Sequence, residues 1–213
     1  MLDFLINGGP FMVPMVITSV VALAFIIERG LALRWKKVIP VQIEKAVEKT
    51  GDPEGLETLK RACAGHPSAI SRLLVVAVEH LNWTKNENVD ALQIHARHEI
   101  AKLERGLLVL EVVIGIAPLL GLVGTIHGLI RLFGAFGDPG VADSARLASG
   151  IAIALNMTLM GLLIAIPALV AWSYYSKKVE TLSIEMETIC DSFLRRQYRQ
   201  KRRGQPKAEA TVD

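Results

Sequence analysis

Hydrophobic and polar positions divide the chain into three long apolar runs separated by charged stretches. The runs are Phe4–Ile27, Val112–Ile130 and Leu147–Ser176, and none of them contains a Lys, Arg, Asp or Glu. An α-helix needs about 20 mostly apolar residues to cross a bilayer. The pattern therefore predicts an all-α membrane protein with three transmembrane helices.

Between the first two runs, the pattern is polar and helical. It predicts a short amphipathic helix over Val41–Thr50, a second piece to Ala64, and a third helix whose apolar face comprises Ile70, Leu73, Leu74, Ala77 and Leu81. Apolar residues then recur at alternating spacings of three and four, as in a heptad repeat, at Val89, Leu92, Ala96, Ile100, Leu103, Leu107 and Leu110. This stripe predicts one helix from about Asn88 to Phe133, which extends the second transmembrane helix well beyond the bilayer.

The third transmembrane helix is expected to extend beyond the bilayer as well. An apolar stripe continues past Lys177 at Val179, Leu182, Met186, Ile189 and Phe193. After Leu194 the sequence is basic and loses its periodicity, so we expect a mobile tail there.

The distribution of basic residues predicts the orientation. Lys and Arg concentrate in two blocks, Arg29–Arg105 and Lys177–Lys207, and such blocks favour the cytoplasmic side. The layout is then a periplasmic N-terminus (1–9), helix one (10–28), a cytoplasmic helical region (29–105), helix two (106–135), a periplasmic loop (136–147), helix three (148–175), and a cytoplasmic helix with a basic tail (176–213). The tail either binds anionic lipid headgroups or serves only as an anchor.

Composition agrees with a membrane protein and offers little enzyme chemistry. Of the 213 residues, 51% are hydrophobic, and the net charge is +3. Cys63 and Cys190 are far apart in the sequence, so neither a disulfide framework nor a metal site is expected. The N-terminal run has no preceding basic region and is interpreted as an uncleaved helix. No enzymatic activity, cofactor or nucleic-acid partner is expected.

The second apolar run carries residues that a simple lipid anchor does not need. Gly121, Thr125 and Gly128 share one helix face, and Gly124 and Gly128 form a small-xxx-small pair. Pro118 removes one backbone hydrogen bond, so a kink is expected there. Small residues let helices approach closely, so one interpretation is helix packing. The other is the wall of a pore.

The third run repeats this combination. Ala154, Thr158, Gly161 and Ala165 share a face, and Pro167 follows. The threonine hydroxyls either bond back to their own helix or take part in conduction. Asn156 points elsewhere and is expected to bond to another helix.

Two titratable groups belong to the second apolar helix. His127 either carries protons or bonds to a neighbour, and Arg131, near the outer end, is expected to reach the interface. Since the apolar runs contain no Asp or Glu, any titrating acid in mid-membrane is expected to come from a partner.

Three stretches of the sequence closely resemble the MotA/TolQ/ExbB proton channel family. They are GGPFMVPMVITSVVALAFIIER, APLLGLVGTIHGLIRLF and GIAIALNMTLMGLLIAIPALVA, one in each predicted transmembrane helix. The three-helix layout favours the ExbB/TolQ branch, because MotA has four spans. In one respect the chain departs from that branch: Ile153 and Ala154 occupy the region where ExbB and TolQ proteins often carry a Glu.

The resemblance implies a homopentameric ring in a bacterial inner membrane. Its pore would hold a dimer of a single-span ExbD/TolR-like partner, whose membrane Asp takes up and releases protons. By motif position, Thr125 and Thr158 match the two threonines that face this Asp. Proton flow would then perform mechanical work on the periplasm or outer membrane, with a TonB/TolA-like protein as a further partner.

Two hypotheses from other classes remain open from the residues. The chain is either a non-conducting oligomeric scaffold held together by its glycine-rich helices, or a secondary transporter. The lack of an internal repeat and of broken helix pairs argues against the transporter.

Overall fold

A computed structural model describes residues 10–50, 53–134 and 144–204. Within these ranges the chain is helical, without β-strands. The helices are α1 (Met12–Ala32), α2 (Trp35–Val38), α3 (Val41–Glu48), α4 (Pro53–Gly65), α5 (Ala69–Glu79), α6 (Lys85–Glu104), α7 (Leu107–Gly134) and α8 (Ser144–Gly204). By length and composition α1, α7 and α8 can each cross a membrane, which confirms the three predicted spans.

The chain separates into two compact units. The first comprises the described residues of Met1–Leu31 and Arg105–Ser176, and the second those of Ala32–Glu104 and Lys177–Asp213. The first unit contains the apolar spans and the second contains the amphipathic helices. The helix α8 contributes to both, as expected from an apolar stripe that continues past Lys177.

In the first unit, α7 lies antiparallel to α1 and α8. Near one end, Ala22, Val113 and Ala168 pack together in a buried cluster. A second cluster joins Met12 and Met15 to Met157. The Tyr175 hydroxyl also donates a hydrogen bond to the Ile26 carbonyl (2.9 Å), which ties α8 to α1. These contacts fix the levels at which the three helices face one another.

The predicted single helix from Asn88 to Phe133 is wrong. The chain leaves the helical conformation at Arg105 and Gly106, between α6 and α7. Gly106 is buried against the side chain of Arg29, which occupies the space that a Cβ would need. Glycine is also a poor helix former, and the helix breaks at this residue.

In the second unit, the predicted apolar faces are buried. Ile70, Leu73, Leu74 and Ala77 of α5 are at most 2% exposed, and the α8 stripe from Val179 to Phe193 is buried as well. The helix α5 begins after Ser68, whose hydroxyl accepts a hydrogen bond from the Ser71 backbone N–H as an N-cap. The short helices over 41–48 and 53–65 also agree with the prediction.

The expectation of a mobile, aperiodic tail after Leu194 is wrong as far as Gly204, where α8 ends. Arg196 donates a hydrogen bond to the Glu48 carbonyl (2.7 Å), and Gln197 donates one to the Thr50 carbonyl (2.8 Å). The Tyr198 hydroxyl donates to the Trp83 carbonyl (3.0 Å). These polar side chains order the segment by satisfying backbone carbonyls at helix ends and turns, which an apolar pattern does not reveal.

The buried face of α6 is also partly polar. Its buried residues are Asn88, Leu92 and Glu99, whereas Ala96 and Ile100 of the predicted stripe are only half-buried. Glu99 accepts hydrogen bonds from Arg72 and from Lys102 (2.7 Å). Burial alone would raise the pKa of Glu99, but the two cations outweigh it and hold that pKa below its ordinary value.

Replacing Arg72 with Ala is expected to lower the free energy of unfolding by about 1–2 kcal/mol, because the buried Glu99 then keeps only Lys102 as a partner. The loss is not larger because the Arg72 side chain is half-exposed, so water already weakens its interaction with Glu99. Because the pKa of Glu99 is lowered in the folded protein, its ionised carboxylate stabilises the fold at pH values above the ordinary pKa of a Glu. This stabilisation disappears as the pH falls through the pKa that Glu99 has in the folded protein. Thermal unfolding of the detergent-solubilised protein across acidic pH measures both effects. Lys60→Ala, in the exposed pair with Glu57, is the control and should unfold like the wild type.

Candidate functional site between α7 and α8

The backbones of α7 and α8 touch where two glycines face each other. A Cβ on Gly161 would lie 2.6 Å from the Ala117 carbonyl oxygen. One on Gly121 would lie 2.9 Å from the Met157 carbonyl oxygen. Neither position has room for a methyl group unless a backbone moves, so these two glycines set the distance between the helices.

The other two glycines of the predicted packing face are less constrained. A Cβ on Gly124 would meet the end of the Met157 side chain at 2.7 Å, and that side chain is flexible. A Cβ on Gly128 would lie 3.4 Å from the Ala154 Cβ, an ordinary contact distance. Helix packing therefore needs glycine most strictly at positions 121 and 161.

One turn beyond this contact, the hydroxyls of Thr125 and Thr158 are hydrogen-bonded to each other, with 2.5 Å between their oxygens. The Thr125 oxygen also lies 3.0 Å from the Gly121 carbonyl oxygen and 2.9 Å from that of Ala154. A hydroxyl has one hydrogen and two lone pairs, so Thr125 donates to one carbonyl at a time. In that arrangement Thr158 donates its own hydrogen to Thr125.

The threonines thus fit both interpretations left open by the sequence. Thr125 bonds back to its own helix through Gly121, and it also joins α7 to α8 through Ala154 and Thr158. Both side chains are half-buried. The pair is neutral, and each hydroxyl can donate and accept, so it can orient a water molecule or pass on a proton but cannot hold a charge.

The remaining packing residues divide by exposure. Ala154 and Ala165 are buried against the other helices of the first unit, and Pro118 is half-buried within α7. Pro167 is exposed on α8. Ile153, one of the two residues at which the chain departs from the ExbB/TolQ pattern, is half-buried.

The three polar residues predicted as modulators do not join the threonine pair. The half-buried His127 ring packs edge-on against Phe11, with 5.3 Å between the ring centroids. Arg131 is exposed near the end of α7, and Asn156 is exposed on α8. The expected bond from Asn156 to another helix stays a prediction.

Helix two, predicted over 106–135, contains one carboxylate that lies just outside the apolar run. The apolar run begins at Val112, but the helix that can cross the membrane begins at Leu107 and includes Glu111, which is exposed. The sequence contained a signal for this, because the heptad-like stripe through Leu107 and Leu110 already showed that the helix begins before Val112.

Comparison with known proteins yields a consistent set of relatives. The model of the MotA/TolQ/ExbB proton channel family matches residues 66–188, more than half of the chain. ExbB-like protein 1 of Synechocystis sp. is 34% identical over 178 residues, which cover 81% of this chain and 69% of that protein. The Tol-Pal system protein TolQ of Pseudomonas aeruginosa is 28% identical over 85% of this chain and 84% of its own. The biopolymer transport protein ExbB of Aquifex aeolicus is 28% identical over 54% and 78%.

Proposed function

Because the chain belongs to the MotA/TolQ/ExbB proton channel family, we propose that it forms the ring of an inner-membrane motor driven by protons. The ring is a homopentamer, and its pore holds a dimer of a single-span ExbD/TolR-like partner. The motor converts the proton motive force into mechanical work on the periplasm or outer membrane, for energised import or envelope maintenance. A TonB/TolA-like protein is a further partner.

The observation that carries this proposal is the hydroxyl pair of Thr125 and Thr158. The resemblance singled out these two residues separately. They belong to two different helices, 33 positions apart in the chain, and their hydroxyls are in direct contact. A neutral pair of hydroxyls suits a proton path in which the charge resides on a partner's carboxylate. We assign both threonines to that path.

The packing around the pair supports a rigid wall at this point. Gly121 and Gly161 hold the two backbones together within about one turn of the threonines. A position fixed in this way is needed if a partner's side chain is to meet both hydroxyls. We therefore assign Gly121 and Gly161 to holding the threonines in place.

The outward faces of the spans support assembly within a membrane. All three helices of the first unit expose large apolar side chains, among them Ile17 on α1, Leu119 on α7 and Leu163 on α8. Such faces require lipid or neighbouring helices. The basic blocks support a cytoplasmic C-terminus and a periplasmic N-terminus.

Proton flux into liposomes tests the proposal. The purified protein together with a single-span partner that carries a membrane Asp should dissipate an imposed pH gradient, whereas the protein alone should not. A partner with this Asp changed to Asn is the matched control and should abolish the flux. A ring that assembles with the partner but stays impermeable to protons would instead identify a non-conducting scaffold.

A further inference from the structure

Asn156 lies deep within the apolar part of the first unit. Gly121 and Gly161 face each other, with the Cβ position of Gly161 3.3 Å from the Gly121 Cα, and they stand at the middle of the uncharged runs 112–130 and 147–176. Their contact therefore marks the level at which both spans are centred in the bilayer. Asn156 is five residues from Gly161 on α8, or about 7.5 Å along the axis, whereas half of the hydrocarbon core is about 15 Å thick.

The Asn156 side chain has nothing to bond to at this depth in the single chain. It is exposed, and it makes no hydrogen bond within the part of the chain that the structure describes. A side-chain amide carries two N–H donors and a carbonyl acceptor, and lipid tails can satisfy none of them. Because a free amide in hydrocarbon is costly, polar groups outside the single chain must cover Asn156 in the membrane.

A backbone carbonyl on the same face of α8 has the same need. Pro167 has no N–H, so the Leu163 carbonyl lacks its helical donor. Leu163 and Pro167 are seven and eleven residues from Asn156, so at 3.6 residues per turn both lie within about 20° of its direction. Leu163 is 56% exposed, and Pro167 is exposed as well. One open face of α8 thus presents an amide and a carbonyl in the middle of the span.

This face points away from the surfaces that α8 already uses. Thr158 is two residues from Asn156, so the two side chains leave the helix about 160° apart. A partner that meets the threonine hydroxyls therefore lies on the other side of α8. Ala168, which packs against α1 and α7 in the buried cluster, is also about 120° away from Asn156. Neither the proposed partner nor the chain's own helices cover Asn156.

We propose that the face of α8 around Asn156 and Pro167 is the surface against which the next copy of this chain packs. The inference rests on the ring in the proposed function and names the side of α8 at which neighbouring copies meet. In a ring whose axis is normal to the membrane, all copies lie at the same depth, so the next copy can cover this face along the whole span. Its helices replace lipid at Asn156 and at the Leu163 carbonyl, where interhelical hydrogen bonds can form.

Photo-cross-linking of the membrane-embedded complex with its partner tests the position of this surface. With p-benzoylphenylalanine in place of Leu163, irradiation should join two copies of this chain. The matched control is the same probe in place of Leu162, the preceding residue, which is 42% exposed and lies about 40° from the direction of Thr158. That probe should capture the single-span partner instead. Adducts of the Leu163 probe with lipid alone, or with the partner alone, would overturn the inference.

Self-association of the detergent-solubilised protein provides a second test, which needs neither the partner nor proton flux. Asn156→Leu should weaken association about three- to tenfold for each contact between copies, the usual contribution of a hydrogen bond between membrane helices. Asn156→Gln, which keeps an amide, should retain most of the association. The matched control is Thr18→Val, which removes a hydroxyl that bonds to the Pro14 carbonyl of its own helix.

The outcomes separate this surface from the proposed function. Equal association of Asn156→Leu and the wild type would overturn the surface alone, because an amide that faces lipid contributes nothing to contacts between copies. A complex that shows the Leu163 adduct between copies and the weaker association of Asn156→Leu, yet carries no protons, would overturn the proposed proton path and support the surface.

Discussion

Replacing Thr125 with Val is expected to abolish proton flux through the reconstituted complex and all work that depends on it. Valine keeps the shape of threonine but removes the hydroxyl that contacts both Thr158 and the Ala154 carbonyl. The Thr158 hydroxyl then loses its acceptor and can only bond back within its own helix. Thr158→Val removes the other half of the pair and should have the same effect.

The loss of function should not reflect loss of the fold. A hydrogen bond between membrane helices contributes on average only about 0.6 kcal/mol, so both variants should still insert and assemble. The matched control is Thr18→Val in α1, because the Thr18 hydroxyl bonds only to the Pro14 carbonyl of its own helix (2.7 Å) among the contacts described. Full flux in both the Thr125 and Thr158 variants would contradict the assigned path.

Replacing Gly161 with Ala is expected to destabilise the first unit by about 1–3 kcal/mol, the usual cost of forcing an extra methyl group into a packed contact. The added Cβ would lie 2.6 Å from the Ala117 carbonyl oxygen, which belongs to the backbone and cannot rotate away. The helices α7 and α8 must therefore separate, and the threonine contact one turn away must lengthen. Gly121→Ala should act in the same way, since its Cβ meets the Met157 carbonyl oxygen at 2.9 Å.

Thermal unfolding of the detergent-solubilised protein measures this effect, with proton flux as a second readout. Gly115→Ala provides the matched control for stability, because it adds the same methyl group to α7 where no heavy atom lies within 4 Å. Alanine also favours helix over glycine, so this control should be at least as stable as the wild type. Equal unfolding temperatures for Gly161→Ala and Gly115→Ala would show that the helices do not meet at Gly161.

Where sequence reasoning erred, the cause lay in contacts between distant segments. The helix breaks at Gly106, where the side chain of Arg29, 77 positions earlier in the chain, lies against the backbone. The burial of Glu99 could not be predicted, because an apolar stripe does not show that Arg72 and Lys102 bond to a buried carboxylate. Likewise, the basic segment after Leu194 looked mobile, although Arg196 and Gln197 bond to carbonyls of the chain around residue 50.

The sequence by itself determined the three spans, the extension of α8 past Lys177, and the membership suggested by the glycine- and threonine-containing motifs. The spans and the extension follow from local hydropathy and periodicity, which each segment carries on its own, whereas the membership follows from the resemblance of the motifs. Only the tertiary structure decided which glycines lie against a facing backbone and that Thr125 meets Thr158. Those facts depend on how antiparallel helices align, and that alignment is set by the packing of side chains from segments far apart in the chain.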